Sequence, residues 1–115
     1  MVMPGGYKKQ LPGPIMPVKE FAIINVPMPS ADTEYSWQWP KGLKRFTLHV
    51  RDGTPIRISD QMGKVAGSNE PYWTLVQDCS WSEWDIDMEE GLDYLLYFAC
   101  GVANKVVEII VGIGA

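Results

Sequence analysis

LKRFTLHVRDGTPIRIS, from Leu43 to Ser59, is the stretch that most clearly indicates the fold of this 115-residue chain. Apolar residues alternate with polar ones on both sides of a turn. The apolar residues are Phe46, Leu48, Val50, Ile56 and Ile58. This is the period of a half-buried strand, and Asp52-Gly53 is typical of a turn. Pairing Val50 with Ile56 across a three-residue loop keeps the apolar side chains on one face. The stretch therefore predicts a β-hairpin.

Six further segments have the composition or alternation of short strands. They are residues 19–26, 32–39, 72–75, 80–87, 92–100 and 106–111. Turn residues separate them at spacings near ten residues, and no segment is a convincing helix. We therefore predict an all-β fold, an antiparallel β-sandwich of seven or eight strands, with jelly-roll connections as one form of it.

Some of these segments are apolar on both faces. Residues 19–26 have the pattern of a central or covered strand. Residues 92–100 could be either a covered strand or a short helix, and Tyr94, Tyr97 and Phe98 favour the strand. The outer face of residues 106–111 is too apolar for an exposed strand, so we expect a partner to cover it. A homo-oligomer, for example a trimer, would account for both 92–100 and 106–111.

The first 17 residues have a different composition. Met1 to Pro17 contains four prolines and three glycines, shows no periodicity, and predicts an extended arm in front of a β-sandwich domain at 18–115. We expect this arm to lie along a neighbouring subunit. The predicted assembly residues are Met3, Pro4, Tyr7, Lys8, Lys9, Leu11, Pro12 and Ile15 of the arm with Val106 and Ile110 of the last strand.

The charge distribution narrows the range of partners. The net charge is −4, and residues 65–104 hold eight carboxylates without a lysine or arginine. This acidic stretch is unsuited to binding nucleic acid.

The sequence shows no membrane-spanning segment or signal peptide. No apolar run approaches the length of about 20 residues that spans a bilayer, and the first ten residues lack the apolar core of a signal peptide. Cys79 and Cys100 lack zinc-ligand spacing and predict reduced, buried thiols.

Residues with catalytic or metal-binding potential are few. His49 is the only histidine and falls on the outer face of its strand. Asp85-x-Asp87-x-Glu89 resembles the start of a calcium loop, but the position that needs glycine is Glu90 and the closing carboxylate is replaced by Leu96. We therefore expect no catalytic residue, metal or cofactor.

The five tryptophans leave two interpretations open. The alternation predicts that Trp37, Trp39 and Trp84 lie in the sandwich core. Exposed tryptophans could instead stack on sugar rings, which would make the chain a carbohydrate-binding module.

The order of motifs resembles the small β-sandwich proteins of tailed bacteriophage particles. The resemblance covers residues 18–111 and is carried by DTEYSWQWPKGLKRFTLHVRDGTPIRIS at 32–59, YWTL at 72–75, SWSE at 80–83, LLYFAC at 95–100 and VVEIIV at 106–111. One departure is Gln77-Asp78-Cys79, where a glycine-containing turn is more usual.

This resemblance implies a non-enzymatic virion component that is made in the host cytoplasm. A capsid decoration (cement) protein, which holds the major capsid protein through its arm and sandwich, is the function we expect first. A neck or tail structural protein is the alternative within the same class. The resemblance implies no cofactor, nucleic acid or membrane.

Overall fold

The computed structural model describes residues 18–86 and 94–114, which form eight β-strands. The strands are β1 Glu20–Met28, β2 Tyr35–Gln38, β3 Leu43–Val50, β4 Ile56–Ser59, β5 Trp73–Leu75, β6 Ser80–Glu83, β7 Leu95–Ala99 and β8 Lys105–Ile113. The described residues contain no helix, and so none of the length and apolarity that would cross a membrane. The all-β prediction is confirmed.

The strands form two four-stranded antiparallel sheets that pack against each other. One sheet has the order β1-β8-β3-β6 and is called the first sheet here; the second sheet has the order β2-β7-β4-β5. Alternate side chains of both sheets meet in one core, whose largest fully buried members include Phe46, Phe98, Met28, Leu43, Leu48, Ile56 and Ile109. The two layers make a β-sandwich, as the alternation predicted.

The pairing joins the beginning of the chain to its end. The antiparallel ladders include β1 with β8, β2 with β7, β3 with β6 and β4 with β5. Every connection except β4 to β5 crosses from one sheet to the other. The fold is therefore a long two-stranded ribbon, with β4 and β5 at its tip, that is wrapped into two layers.

The predicted hairpin at Leu43 to Ser59 is wrong, although both of its strands exist. β3 lies in the first sheet between β8 and β6, and β4 lies in the second sheet between β7 and β5. Val50 and Ile56 are both buried because they enter the core from opposite layers. An arch between two facing sheets satisfies the same alternation as a hairpin, so the pattern could not distinguish them.

The loop between β3 and β4 shows why the chain crosses between the sheets there. Gly53 has a φ of 80°, and a Cβ at this position would collide with the carboxylate of Asp78. The Asp78 amide donates to the Gly53 carbonyl at 2.9 Å, which holds the loop against the β5–β6 turn. Pro55 has no amide hydrogen for a ladder with β3 at the point where a hairpin would need it. Asp78, in the unusual Gln77-Asp78-Cys79 turn, is thus a packing partner of this loop.

Strand β1 is an edge strand, not the central or covered strand that its two apolar faces predicted. Among the described strands it pairs with β8 alone, and Pro27 lies within it because an edge strand tolerates a missing donor. Ile24, Val26 and Met28 face the core, whereas Phe21 and Ile23 are exposed.

The prediction for the faces of the sixth strand is reversed. Trp81 packs on the core, while Trp84 is 57% exposed. The strand ends at Glu83, and Asp85 has a φ of 56°, which breaks the alternation before Ile86 turns back to the core. Trp37 and Trp39 do pack in the core as predicted.

The two cysteines differ in environment. Both are free thiols, and Cys100 is buried as predicted, but Cys79 is exposed in the β5–β6 turn. The turn residues around Cys79 protrude from the sandwich, so the prediction of a buried thiol is wrong there.

The outer face of β7 is covered by the chain itself. Val65, from the loop between β4 and β5, is fully buried against Tyr97 and Ala99. The Arg57 side chain holds this loop by donating from Nε to the Val65 carbonyl at 2.5 Å and from a terminal nitrogen to Asp32 at 2.9 Å. The apolarity of both faces of β7 therefore needs no second subunit to explain it.

Candidate assembly surface

The outer face of the first sheet has no such cover among the described residues. Ile23 of β1, Ile110 of β8, Thr47 of β3 and Ser82 of β6 lie in register across all four strands. Ile23 is 73% exposed, and Ile110 is exposed beside it. Large apolar side chains thus stand next to each other on a solvent-facing sheet surface.

An arginine between two aromatic rings closes one end of this face. The Arg45 guanidinium lies 5.2 Å from the centre of the Phe21 ring and 5.0 Å from that of the Trp84 ring. Such cation–π contacts hold both rings in place. Gly112, in register between Phe21 and Arg45, makes room for this arrangement, because a Cβ there would lie 3.0 Å from Arg45 Cγ.

Two adjoining depressions run along the face. The first, of about 250 Å³, is lined by Phe21, Arg45, Phe46, Thr47, Trp84, Ile110, Val111 and Gly112. The second, of about 460 Å³, is lined by Ile23, Thr47, His49, Ser80, Glu108, Ile109 and Ile110. Since they share Thr47 and Ile110, they form one continuous groove, which we call the outer groove.

The far end of the outer groove is charged. Arg51 Nε donates to Glu108 Oε2 at 2.7 Å, and His49 Nε2 lies 2.9 Å from Glu108 Oε1. The hydrogen bond from Arg51 lowers the pKa of the Glu108 carboxyl, burial partly opposes this, and the weaker effect of His49 lowers the pKa further. The carboxylate is therefore ionised at neutral pH, and a polar rim borders the apolar part of the groove.

The structure describes two of the predicted assembly residues, and both lie on the outer face of β8. Ile110 is exposed at the centre of the groove, and Val106 is partly buried near its charged end. The other predicted assembly residues lie outside the described residues: Met3, Pro4, Tyr7, Lys8, Lys9, Leu11, Pro12 and Ile15.

Sequence reasoning missed Phe21, Ile23 and Trp84 as surface residues, although it placed Arg45 on the exposed face of its strand. The signal for Phe21 and Ile23 was present, because β1 is apolar on both faces, but it was interpreted as burial. Trp84 was assigned to the core because alternation alone does not show which face of the strand is buried, and Trp81 packs on the core instead.

A second, smaller groove lies where the edges of the two sheets meet. It has a volume of about 330 Å³, and its walls carry Tyr72, Trp73, Trp81 and Tyr94 together with Asp60. Trp73 is 50% exposed, and its ring meets Trp81 edge-on at a centroid distance of 5.4 Å. Burial and the negative charge of Asp60 raise the pKa of Tyr94, so its hydroxyl keeps its proton. We call this the aromatic groove.

The acidic motif at Asp85-x-Asp87-x-Glu89 falls partly outside the described residues, which include Asp85 but neither Asp87 nor Glu89. Within residues 18–86 and 94–114, no group of three or more histidine, cysteine or carboxylate side chains could hold a metal ion.

Comparison of the chain with protein-family models, with curated proteins and with solved structures found no match. The functional inference therefore depends on the chemistry of the described surfaces, above all the outer groove.

Proposed function

We propose that this protein is a non-enzymatic structural component of a tailed-phage particle, specifically a capsid decoration protein. It would bind coat subunits through the N-terminal arm and the outer face of the first sheet. One observation carries the proposal: Val65 covers the outer face of β7 in the second sheet, whereas no described residue covers Phe21, Ile23 and Ile110 of the first sheet or the adjoining Trp84. Adjacent exposed apolar side chains of this size are typical of an interaction surface.

Burial of this surface would stabilise a complex substantially. Full burial of one large apolar side chain contributes about 1.5–3 kcal/mol before the cost of association. The Arg45 contacts keep Phe21 and Trp84 in fixed positions, which lowers the entropy cost of docking them. Such a site binds by shape and apolar contact, as a particle component requires.

The strand order supports a jelly-roll form of the sandwich. Two sheets of four strands, in which each strand of the first half pairs with its counterpart from the second half, result from rolling up one long antiparallel ribbon. Jelly rolls of eight strands occur in viral capsid proteins among others. The fold is thus compatible with a virion role without requiring one.

The proposed homo-oligomer, with a trimer as the first form to test, now depends on β8. The outer face of β7 no longer supports it, because Val65 covers that face. Val106 and Ile110 remain as side chains that a neighbouring subunit would cover. Light scattering of the full-length protein measures the mass directly: a stable oligomer supports this part of the proposal, and a monomer contradicts it.

The virion role is tested by counting copies of the chain in purified phage particles from cells that encode it. A decoration protein is expected at a number comparable to that of the major capsid protein, and quantitative mass spectrometry measures both. A few copies per particle would support the neck or tail alternative and overturn decoration. Absence from particles would overturn the whole proposal.

The aromatic groove supports a second candidate function, carbohydrate binding. Trp73 offers a half-exposed ring for stacking, and Tyr94 and Asp60 place hydrogen-bonding groups beside it. Trp73→Ala should then abolish the quenching of tryptophan fluorescence by host polysaccharide. Trp84→Ala is the matched control, since Trp84 is similarly exposed but lies in the outer groove. No quenching of the unaltered protein would rule this candidate out.

A further inference from the structure

The point where the described chain begins lies at the edge of the outer groove. Val18 is the first described residue, and the Lys19 amide donates to the Ile113 carbonyl at 2.7 Å. A Cβ on Gly112 would lie 3.0 Å from Val18 Cγ2 and 3.0 Å from Arg45 Cγ. Gly112 belongs to the outer face of β8, so Val18 already reaches over that face beside Arg45. Val18 therefore lies beside the Phe21 and Arg45 end of the outer groove.

The residues that precede Val18 have the composition of a segment that binds such grooves. Residues 11–17 read LPGPIMP, with three prolines and the apolar residues Leu11, Ile15 and Met16. Proline-rich segments favour the polyproline II conformation and dock on grooves lined by aromatic side chains. The outer groove presents the Phe21 and Trp84 rings beside an apolar floor at Ile110.

The length of this segment also matches the groove. Seven residues in the polyproline II conformation span about 22 Å. Four adjacent strands, with three spacings of about 4.8 Å, cover about 14 Å. The segment is therefore long enough to cross the first sheet from β1 to β6.

We propose that the depression between the Phe21 and Trp84 rings, at one end of the outer groove, is the docking site for residues 11–17 of the same chain. The other end of the groove, at Ile23 and Glu108, then stays open for the coat partner of the proposed function. Leu11, Ile15 and Met16 would cover the apolar floor between the Phe21 and Trp84 rings. This divides the arm in two: residues 11–17 complete the sandwich, and residues 1–10, with Tyr7, Lys8 and Lys9, remain for a different partner. The lysine pair, unopposed by any carboxylate in residues 1–17, suits an acidic surface on that partner.

Methyl NMR on the full-length protein tests this docking. Nuclear Overhauser contacts are expected from the Ile15 methyl groups to the Trp84 indole and to Ile110. A mixture of labelled and unlabelled protein separates contacts within one chain from contacts between chains. Contacts within one chain support the proposal. Contacts only between chains would overturn it in favour of an arm exchanged with a second copy, and no contacts would overturn it outright.

A matched pair of variants checks that the contacts to Trp84 come from Ile15. Ile15→Lys should abolish the contacts to Trp84 and shift the Trp84 indole resonance, with the rest of the domain spectrum unchanged. Val2→Lys makes the same kind of change in the distal arm. It should leave the contacts to Trp84 and the Trp84 indole resonance as they are in the unaltered protein. Unchanged Trp84 resonances in Ile15→Lys would contradict the docking. The isolated protein is used throughout, so the result is independent of the virion proposal.

Discussion

The outer faces of the two sheets have similar sequence patterns but differ in solvent exposure. Strand β7 of the second sheet and strand β8 of the first sheet both have apolar side chains on their outer faces. On β7 the chain provides Val65 as a cover, and Arg57 fastens the loop that carries it. On β8 Ile110 remains exposed, and Arg51 binds Glu108 at the surface. The same pattern therefore marks interior packing in one sheet and a binding surface in the other.

Substitution of one arginine on each face should show the largest difference in the free energy of unfolding. Arg57 is 17% exposed in its side chain and bonds the Val65 carbonyl, whereas Arg51 is 54% exposed. Arg57→Met removes the charged donor from the Val65 carbonyl, which keeps only the Ser68 amide at 3.4 Å, and should lower the free energy of unfolding by about 1.5–3 kcal/mol. Arg51→Met should cost about 0–1 kcal/mol. Urea denaturation measures both, and equal losses would contradict the contrast between the faces.

Two valines provide a smaller version of the same comparison. Val65→Ala removes buried methyl groups under the loop and should cost about 2 kcal/mol, from about 0.8 kcal/mol per methylene plus a cavity. Val106→Ala, on the partly exposed outer face of β8, should cost less than about 1 kcal/mol. If Val106→Ala were the more destabilising of the two in thermal denaturation, the outer face of β8 would be packed as tightly as that of β7.

The smallest expected effect is a pH dependence of stability that comes from Glu108 on the outer face of the first sheet. The pKa of Glu108 in the folded state lies below its ordinary value of 4.5, so the folded state favours the ionised form. Its contribution is present above pH 4.5 and is lost as the pH falls through the lower folded value. Glu108→Gln should lower the urea midpoint slightly at pH 7 and by less at pH 3. A difference that stays constant or grows toward pH 3 would contradict this assignment.

The strands could be predicted from the sequence because alternation is a local signal. Leu48, Val50, Ile56 and Ile58 are all buried, as their spacing indicated. Their distribution between two sheets could not be predicted, because a hairpin and an arch bury the same residues. The contacts of Gly53 with Asp78, which hold the loop in place, join positions 25 residues apart.

The candidate surface could be predicted only in part. Ile110 was found because β8 has too many apolar residues for an exposed strand. Val65 was not identified as a cover, since it is a lone apolar residue in a loop without periodicity. Trp84 was misplaced because alternation does not say which face of a strand is the core, and Trp81 takes the core face instead. Each miss comes from a contact or a backbone conformation that the local pattern does not encode.

The most direct test of the central claim, that the outer face of the first sheet is the assembly surface, is the occupancy of two lysine variants in phage particles. Ile23→Lys alters this face on an edge strand that tolerates lysine, and Met62→Lys is its control. The two residues are 73% and 72% exposed, and Met62 lies in the loop over the second sheet. Ile23→Lys is expected to lower occupancy at least about tenfold, equivalent to about 1.4 kcal/mol, while Met62→Lys is incorporated normally. Normal incorporation of a folded Ile23→Lys variant would show that this face does not bind the particle.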